Sequence, residues 1–321
     1  MLARTADNLY WLSRYMERAD FLARIVQATQ RLASLPIDYS QPGQGTEWES
    51  ALEASGAAEG FLETGAPVDE EHVVDYLTFS VENPASIRNC IEYARSNARS
   101  VRTALTSEMW EAINGAWFEL KRFESVNIGR GQFDREELTR FLDFVKKTSL
   151  DFDGCAYRTM LRNDAYWFTR LGVYLERADN TARLLDVKYH VLLPESEVVG
   201  GSLDYFQWTA ILRAVSAHTA YHWVYRQSIK PWLVADLLIL KIEMPRSLIA
   251  CYDNIVYFLD AIGRAYGIQG SSQRHARTVM ERLQAASTRE IFQSGLHEFI
   301  TTFVEDNSRL SEAISTQYLV I

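Results

Sequence analysis

Apolar residues recur every three or four positions through most of the chain, and the alternation of a half-buried strand is nearly absent. In the first segment Leu9, Leu12, Met16, Ala19, Ala23 and Val26 form one stripe. Trp11, Tyr15, Arg18, Leu22 and Ile25 form a second stripe beside it. A helix that is apolar over more than half its circumference belongs inside a bundle, so Arg18 is expected to be largely buried. Pro36, Pro42, Gly43 and Gly45 end this helix in a loop. The same period predicts helices near 47–64, 69–80, 85–104, 107–121, 135–157, 159–192, 204–227, 231–240, 245–266, 272–287 and 290–316. "GRGQFD", 129–134, and "LPESEVVGGS", 193–202, read as polar breaks between them. The expected fold class is all-α.

The pattern repeats. "YMERADFLAR", 15–24, returns as "YLERADNTAR", 174–183, so Glu17 maps onto Glu176 with an offset of 159. "EWESAL", 47–52, maps onto "QWTAIL", 207–212, with an offset of 160, and "ENPASIRNC", 82–90, onto "EMPRSLIAC", 243–251, with an offset of 161. Three matches in order at nearly constant spacing predict two tandem helical bundles, 1–158 and 159–321, related by pseudo-symmetry and packed as one unit. Each is close to a usual domain size. The two first helices are expected to face each other.

Inside this apolar pattern sits the dipeptide Glu17-Arg18, repeated as Glu176-Arg177. Neighbouring helix residues lie about 100° apart, so the two members of a dipeptide cannot bond well to each other and each needs partners elsewhere. A buried guanidinium without a carboxylate is costly. Facing copies would pair Arg18 with Glu176 and Arg177 with Glu17, an ion-pair network that fixes register. The alternative is a polar cavity in which Arg14, Arg18, Arg24 and Arg177 bind a charged ligand, since guanidinium forks suit carboxylate or phosphate. In that cavity Glu17 or Glu176 is the candidate general acid or base. Glu17-x-x-Asp20 and Glu176-x-x-Asp179 resemble half of a metal site. No Glu-x-x-His accompanies them, though, and the surrounding arginines repel a cation, so no metal is expected there.

Other candidates are weaker. His218 and His222, "HTAYH", share a helical face and form a possible zinc pair that lacks a third ligand at a recognisable spacing. Packing histidines are the competing reading. Arg95, Arg99 and Arg102 line one face before a break at Thr106 and Ser107. Ser107 is the expected cap of the next helix, with Glu108 in its first turn. The matching stretch of the second copy, "DNIVYFLDAIGRAYG", lacks those arginines. The face is therefore a candidate anion or partner site, against the reading of a merely solvated surface. Trp48 and Trp208, and Cys90 and Cys251, occupy equivalent positions and read as core. No phosphate loop or nucleophile elbow is present, and no cofactor is expected.

Composition narrows the partners. The 321 residues carry a formal charge of −9 with no Lys/Arg-rich block, which argues against nucleic acid and anionic membranes. No apolar run reaches the length of a membrane span, and "MLARTADNLYW" is not expected to be a signal peptide. Three cysteines at wide spacing, without CxxC, read as free thiols of a cytoplasmic protein.

"ARTADNLYWLSRYMERAD", "ARSVRTALTSEMWEAIN" and "LERADNTARLLDVKYHVLLP" together resemble the bacterial alpha-E family, an all-helical domain with a Glu-Arg motif. The resemblance runs through nearly the whole chain, with minor departures such as Val173 before Tyr174. It implies genomic company with a circularly permuted ATP-grasp protein and with transglutaminase-like proteins, and so a place in a peptide- or amide-forming system. Three readings follow. The first is an accessory protein that binds the ATP-grasp partner, an anionic peptide or an acyl-phosphate through its Glu-Arg and Arg-rich faces. The second is an enzyme with its Glu/Arg site between the two copies. The third is a structural or oligomerising bundle.

Overall fold

The computed structural model describes residues 1–34, 46–127, 134–190 and 202–319. The loop predicted at Pro36, Pro42, Gly43 and Gly45 lies outside the described residues. So do the "GRGQFD" and "LPESEVVGGS" breaks, except for their last residues, Asp134 and Ser202. Among the described residues every regular element is helical. The first half runs α1 (Ala3–Ala33), α2 (Glu47–Ser55), α3 (Ala58–Glu63), α4 (Glu70–Thr78), α5 (Ile87–Ser100), α6 (Ser107–Asn127) and α7 (Arg135–Thr159), with a 3₁₀ turn at Arg102–Ala104. The second half runs α8 (Asp164–His190), α9 (Ser202–Ala214), α10 (His218–Tyr225), α11 (Pro231–Ile239), α12 (Leu248–Tyr266), α13 (Ser271–Ala285), α14 (Thr288–Ser294) and α15 (Leu296–Tyr318). None of the described helices is long and apolar enough to cross a membrane.

Several predicted helices are broken in two. The segment predicted as 47–64 divides at Gly56, which takes φ +67° and caps α2. The segment predicted as 204–227 divides at the equivalent Ser216, φ +57°. Glycine enters the left-handed region freely, but serine does so only under tertiary constraint, so the second break carries no sequence signal. Gly295, φ +101°, splits 290–316. The helix predicted over 85–104 stops at Ser100, and the chain tightens into the 3₁₀ turn. The helix predicted over 159–192 begins at Asp164.

α1 and α8 form the centre and run side by side in the same direction. The Met1 amine donates to Asp164 at 2.9 Å, Gly172 lies against the Tyr10 carbonyl, and Arg18 reaches Glu176. These contacts keep one nearly constant offset, as two parallel helices in register require. Leu9, Leu12, Leu171, Leu175 and Leu185 are fully buried along them. A Cβ on Gly172 would stand 2.3 Å from the Tyr10 carbonyl oxygen, so only glycine allows this backbone approach.

The halves interleave around that pair. α2 packs on α8 as well as on α1, and α9 packs chiefly on α1. α5 and α7 lie against α1, and α12 and α15 lie against α8. Trp48 and Trp208 are buried as expected, as are Cys90 and Cys251.

Candidate functional site

The apolar stripes of α1 and α8 bring the two dipeptides together, and the cross-pairing is reciprocal. Arg18 donates to Glu176 through Nε (2.6 Å to Oε1) and Nη2 (3.1 Å to Oε2). Arg177 donates to Glu17 in the same bidentate way, at 2.9 Å to each oxygen. Each carboxylate then takes a further guanidinium. Glu176 accepts from Arg14 Nε at 2.7 Å, and Glu17 accepts from Arg246 Nη1 at 2.9 Å. The second pair of arginines breaks the pseudo-symmetry. The position equivalent to Arg14 is Val173, and the position equivalent to Arg246 is Ala85.

A second layer surrounds the first. Asp20 accepts from Arg24 at 2.7 Å and from Arg246 at 2.9 Å, and Asp179 accepts from Arg183 at 2.6 Å. Arg24 reaches on to the C-terminal end of α9, donating to the Ala214 carbonyl (3.3 Å) and the Ser216 hydroxyl (2.9 Å). The equivalent Arg183 places its guanidinium 3.3 Å from the position a Cβ would take on Gly56, at the end of α2. Thus each half's first helix sends an arginine to the C-terminus of the other half's second helix, where partial negative charge collects. Six arginines (14, 18, 24, 177, 183 and 246) face four carboxylates (17, 20, 176 and 179). The two helix ends compensate part of that excess.

Glu17 and Glu176 are at most 4% exposed. Burial pushes the Glu176 carboxyl up, but Arg18 and Arg14 outweigh it and hold it at about 2. Burial likewise opposes ionisation of Glu17, and Arg177 and Arg246 bring it to about 2. Burial works against the charge on Arg177, yet Glu17 raises it above the ordinary arginine value; Glu176 raises Arg18. A carboxylate held this low is unprotonated at neutral pH and weakly basic, which suits a structural anion better than a general acid or base. Arg18 is less buried than its stripe implies, with 27% of its side chain exposed. Cys90 and Cys251 flank the two clamps, and burial drives both thiols up to about 12.

The remaining sequence candidates lie apart from this centre. Arg95 stacks 4.1 Å over Trp117 and donates to Asn114 at 2.9 Å, half-buried between α5 and α6. Arg99 and Arg102 are exposed, and Arg102 sits over Trp110 beyond the end of α5. The three arginines therefore do not share a continuous helical face, because the helix ends at Ser100. Glu108 is exposed in the first turn of α6. The cap there is Thr106, whose hydroxyl accepts from Met109 N at 3.4 Å, rather than Ser107. His218 and His222 stack edge to face on α10 with centroids 4.9 Å apart. Burial first, then His222 and Arg213, lower the pKa of His218. Among the described residues no three His, Cys, Asp or Glu side chains gather as metal ligands.

Arg246 was not among the sequence candidates. A signal was there: "EMPRS" carries an arginine where "ENPAS" carries alanine, the same one-copy asymmetry that singles out Arg95. The exchange of Arg14 for Val173 is likewise more than a minor departure, since Arg14 completes the Glu176 clamp.

Parallel, interleaved helices locked by paired Glu-Arg dipeptides define an all-helical class of protein. The chain belongs to the Alpha-E family, described as a predicted alpha-helical domain with a conserved ER motif, which matches residues 1–319. No curated protein and no solved structure matches the chain.

Proposed function

We propose that this protein is a non-catalytic accessory component of a cytoplasmic, ATP-grasp-linked peptide- or amide-forming system. It binds the ligase partner, a circularly permuted ATP-grasp protein, or that system's anionic peptide or acyl-phosphate intermediate. One observation carries the non-catalytic part. The Glu-Arg centre is saturated by its own ion pairs, and both carboxylates are buried with acceptor sites filled from two arginines each. Such a centre holds a scaffold in register and leaves no proton-transfer group free. Arg14, Arg18, Arg24 and Arg177 are committed to carboxylates, so recognition of an anionic partner falls to exposed cations such as Arg99 and Arg102. The partner's identity comes from the company the family keeps.

The test mixes purified protein with a circularly permuted ATP-grasp protein, with and without ATP and peptide. Co-elution at micromolar concentration is expected, and the double variant Arg99→Glu, Arg102→Glu is expected to weaken it at least tenfold, about 1.4 kcal/mol. Absence of co-elution in every condition sinks the binding role. Turnover by the isolated protein that is lost in Glu176→Gln sinks the non-catalytic one.

A further inference from the structure

Arg24 and Arg183 occupy equivalent positions, but they are not equally engaged. Arg24 bonds to Asp20, to the Ala214 carbonyl and to the Ser216 hydroxyl, and 11% of its side chain is exposed. Arg183 bonds to Asp179 through Nε, and among the described residues its Nη1 and Nη2 have no hydrogen-bond acceptor. The sequence supplies a reason. Gly56 stands where the other half has Ser216, so α2 ends without the hydroxyl that Arg24 finds at the end of α9. Arg183 is 35% exposed, the most of the six arginines in the network. The charge excess of that network therefore meets solvent here.

Arg183 lines a groove of about 240 Å³ between the halves, enclosed by α2 of the first and by α8 and α15 of the second. Glu53, on α2, lines the same groove and is exposed, and among the described residues its carboxylate has no ion pair or hydrogen bond. The other lining carboxylates are engaged: Asp186 with His297 at 2.6 Å, and Glu305 with Arg309 at 3.2 Å. Val304 adds a half-buried apolar side chain. One free carboxylate and one guanidinium with an unused edge thus share a groove without pairing to each other. The other half has no such couple, because Arg213 stands at the position of Glu53. A simple anion placed on Arg183 meets the like charge of Glu53, and a simple cation placed on Glu53 meets that of Arg183. A zwitterion satisfies both.

We propose that this groove binds a free α-amino acid with a short aliphatic side chain. Its carboxylate takes the Nη1–Nη2 edge of Arg183, a bidentate geometry that a guanidinium offers and an ammonium does not. Its ammonium group takes Glu53, and its side chain lies on Val304. The groove is smaller than the roughly 300–1,000 Å³ of pockets for drug-sized ligands, which limits the occupant to a single amino acid rather than a peptide. Both halves contribute, so the site exists only in the complete interleaved fold. Arg99 and Arg102 do not line it, so this proposal does not rest on the ATP-grasp reading, and either can fail without the other.

The experiment is isothermal titration calorimetry of the full chain with L-valine, N-acetyl-L-valine and L-valinamide. L-valine is expected to saturate a single site with a Kd of about 1 mM or below. N-acetyl-L-valine lacks the cation and L-valinamide lacks the anion, so each is expected to bind more weakly by at least about tenfold. Two variants test the contacts: Glu53→Gln, at an exposed position, and Arg183→Lys, which keeps a charge for Asp179 but loses the fork. Each is expected to weaken L-valine binding by a similar factor, with an unchanged far-ultraviolet circular dichroism spectrum. If Arg183→Lys misfolds, Thr301→Trp replaces it, closing the groove from an exposed lining position, with the same required outcome. Absence of saturable binding with L-valine at about 10 mM overturns the proposal. So does a derivative that binds as well as L-valine, or L-valine binding that survives either variant unchanged.

Discussion

Glu176 and Glu17 each receive two guanidinium groups, and the partners are specific. Glu17 is bonded to Arg177 and Arg246, not to its neighbour Arg18. The compensating change for Glu17→Gln is therefore Arg177→Met, whereas adding Arg18→Met strands charges in both clamps at once. A double-mutant cycle on Glu17 and Arg177 is expected to give a coupling on the order of 2 kcal/mol, against less than about 1 kcal/mol for Glu17 and Arg18. Equal couplings for the two pairs would refute the reciprocal clamp. The same carboxylates set the acid response. Their folded values near 2 lie below the unfolded value of 4.5, so their contribution to stability is complete above about pH 5. It is lost as pH falls toward 2, on the order of 3 kcal/mol for each group. Urea midpoints measured from pH 7 to pH 2.5 are expected to be flat above pH 5 and to fall steeply below it. In Glu176→Gln, already destabilised at neutral pH, the fall is expected to be shallower.

At the scale of elements, the contact between α1 and α8 depends on one missing side chain. Helix propensity alone favours Gly172→Ala by about 1 kcal/mol. The Tyr10 carbonyl stands 2.3 Å from the position the new Cβ would occupy, so the helices must separate, and overpacking of that kind costs roughly 1–3 kcal/mol. Gly172→Ala is expected to lower the midpoint of thermal unfolding, while Gly154→Ala, at a position with open space around its Cβ, is expected to leave it level or raise it. The elements also mark what the sequence makes legible. The helical period located nearly every helix, and the repeated dipeptide placed both clamps, because periodic burial and a buried charge leave a pattern in the residues themselves. The break at Gly56 has a residue to announce it. Its counterpart at Ser216 does not, because that serine is held at positive φ by the fold, with Arg24 bonded to its hydroxyl. Arg246 is equally hard to read: it sits in the short connection before α12, far along the chain from Glu17, and only tertiary packing brings the two within 2.9 Å. Arg95 shows the converse. A helical wheel places it with Arg99 and Arg102, but stacking on Trp117 draws it out of that set.

The whole molecule is built so that neither half is complete without the other. α9 lies mainly on α1, α2 lies on α8, and Arg24 and Arg183 reach across to the opposite half's second helix. Cutting the chain between α7 and α8 would expose the α1 face that packs on α8, including Tyr10 and Ser13, both fully buried in the intact protein. It would also leave Glu17 with neither Arg177 nor Arg246, and Arg18 and Arg14 without Glu176. The lost apolar burial, at roughly 25 cal/mol per Å², and the lost ion pairs both come out of the 5–15 kcal/mol that ordinarily separates folded from unfolded domains. The fragments 1–160 and 161–321 are therefore each expected to lack cooperative unfolding when made alone. Mixed together they are expected to regain helical circular dichroism and a single transition, since the clamp and the interleaved packing form between chains as readily as within one. Glu17→Gln in the first fragment is expected to weaken that complementation by at least tenfold, while Arg99→Glu leaves it unchanged. A first fragment that folds cooperatively on its own would mean that each half carries a sufficient core, and that the Glu-Arg centre joins two finished domains rather than completing one.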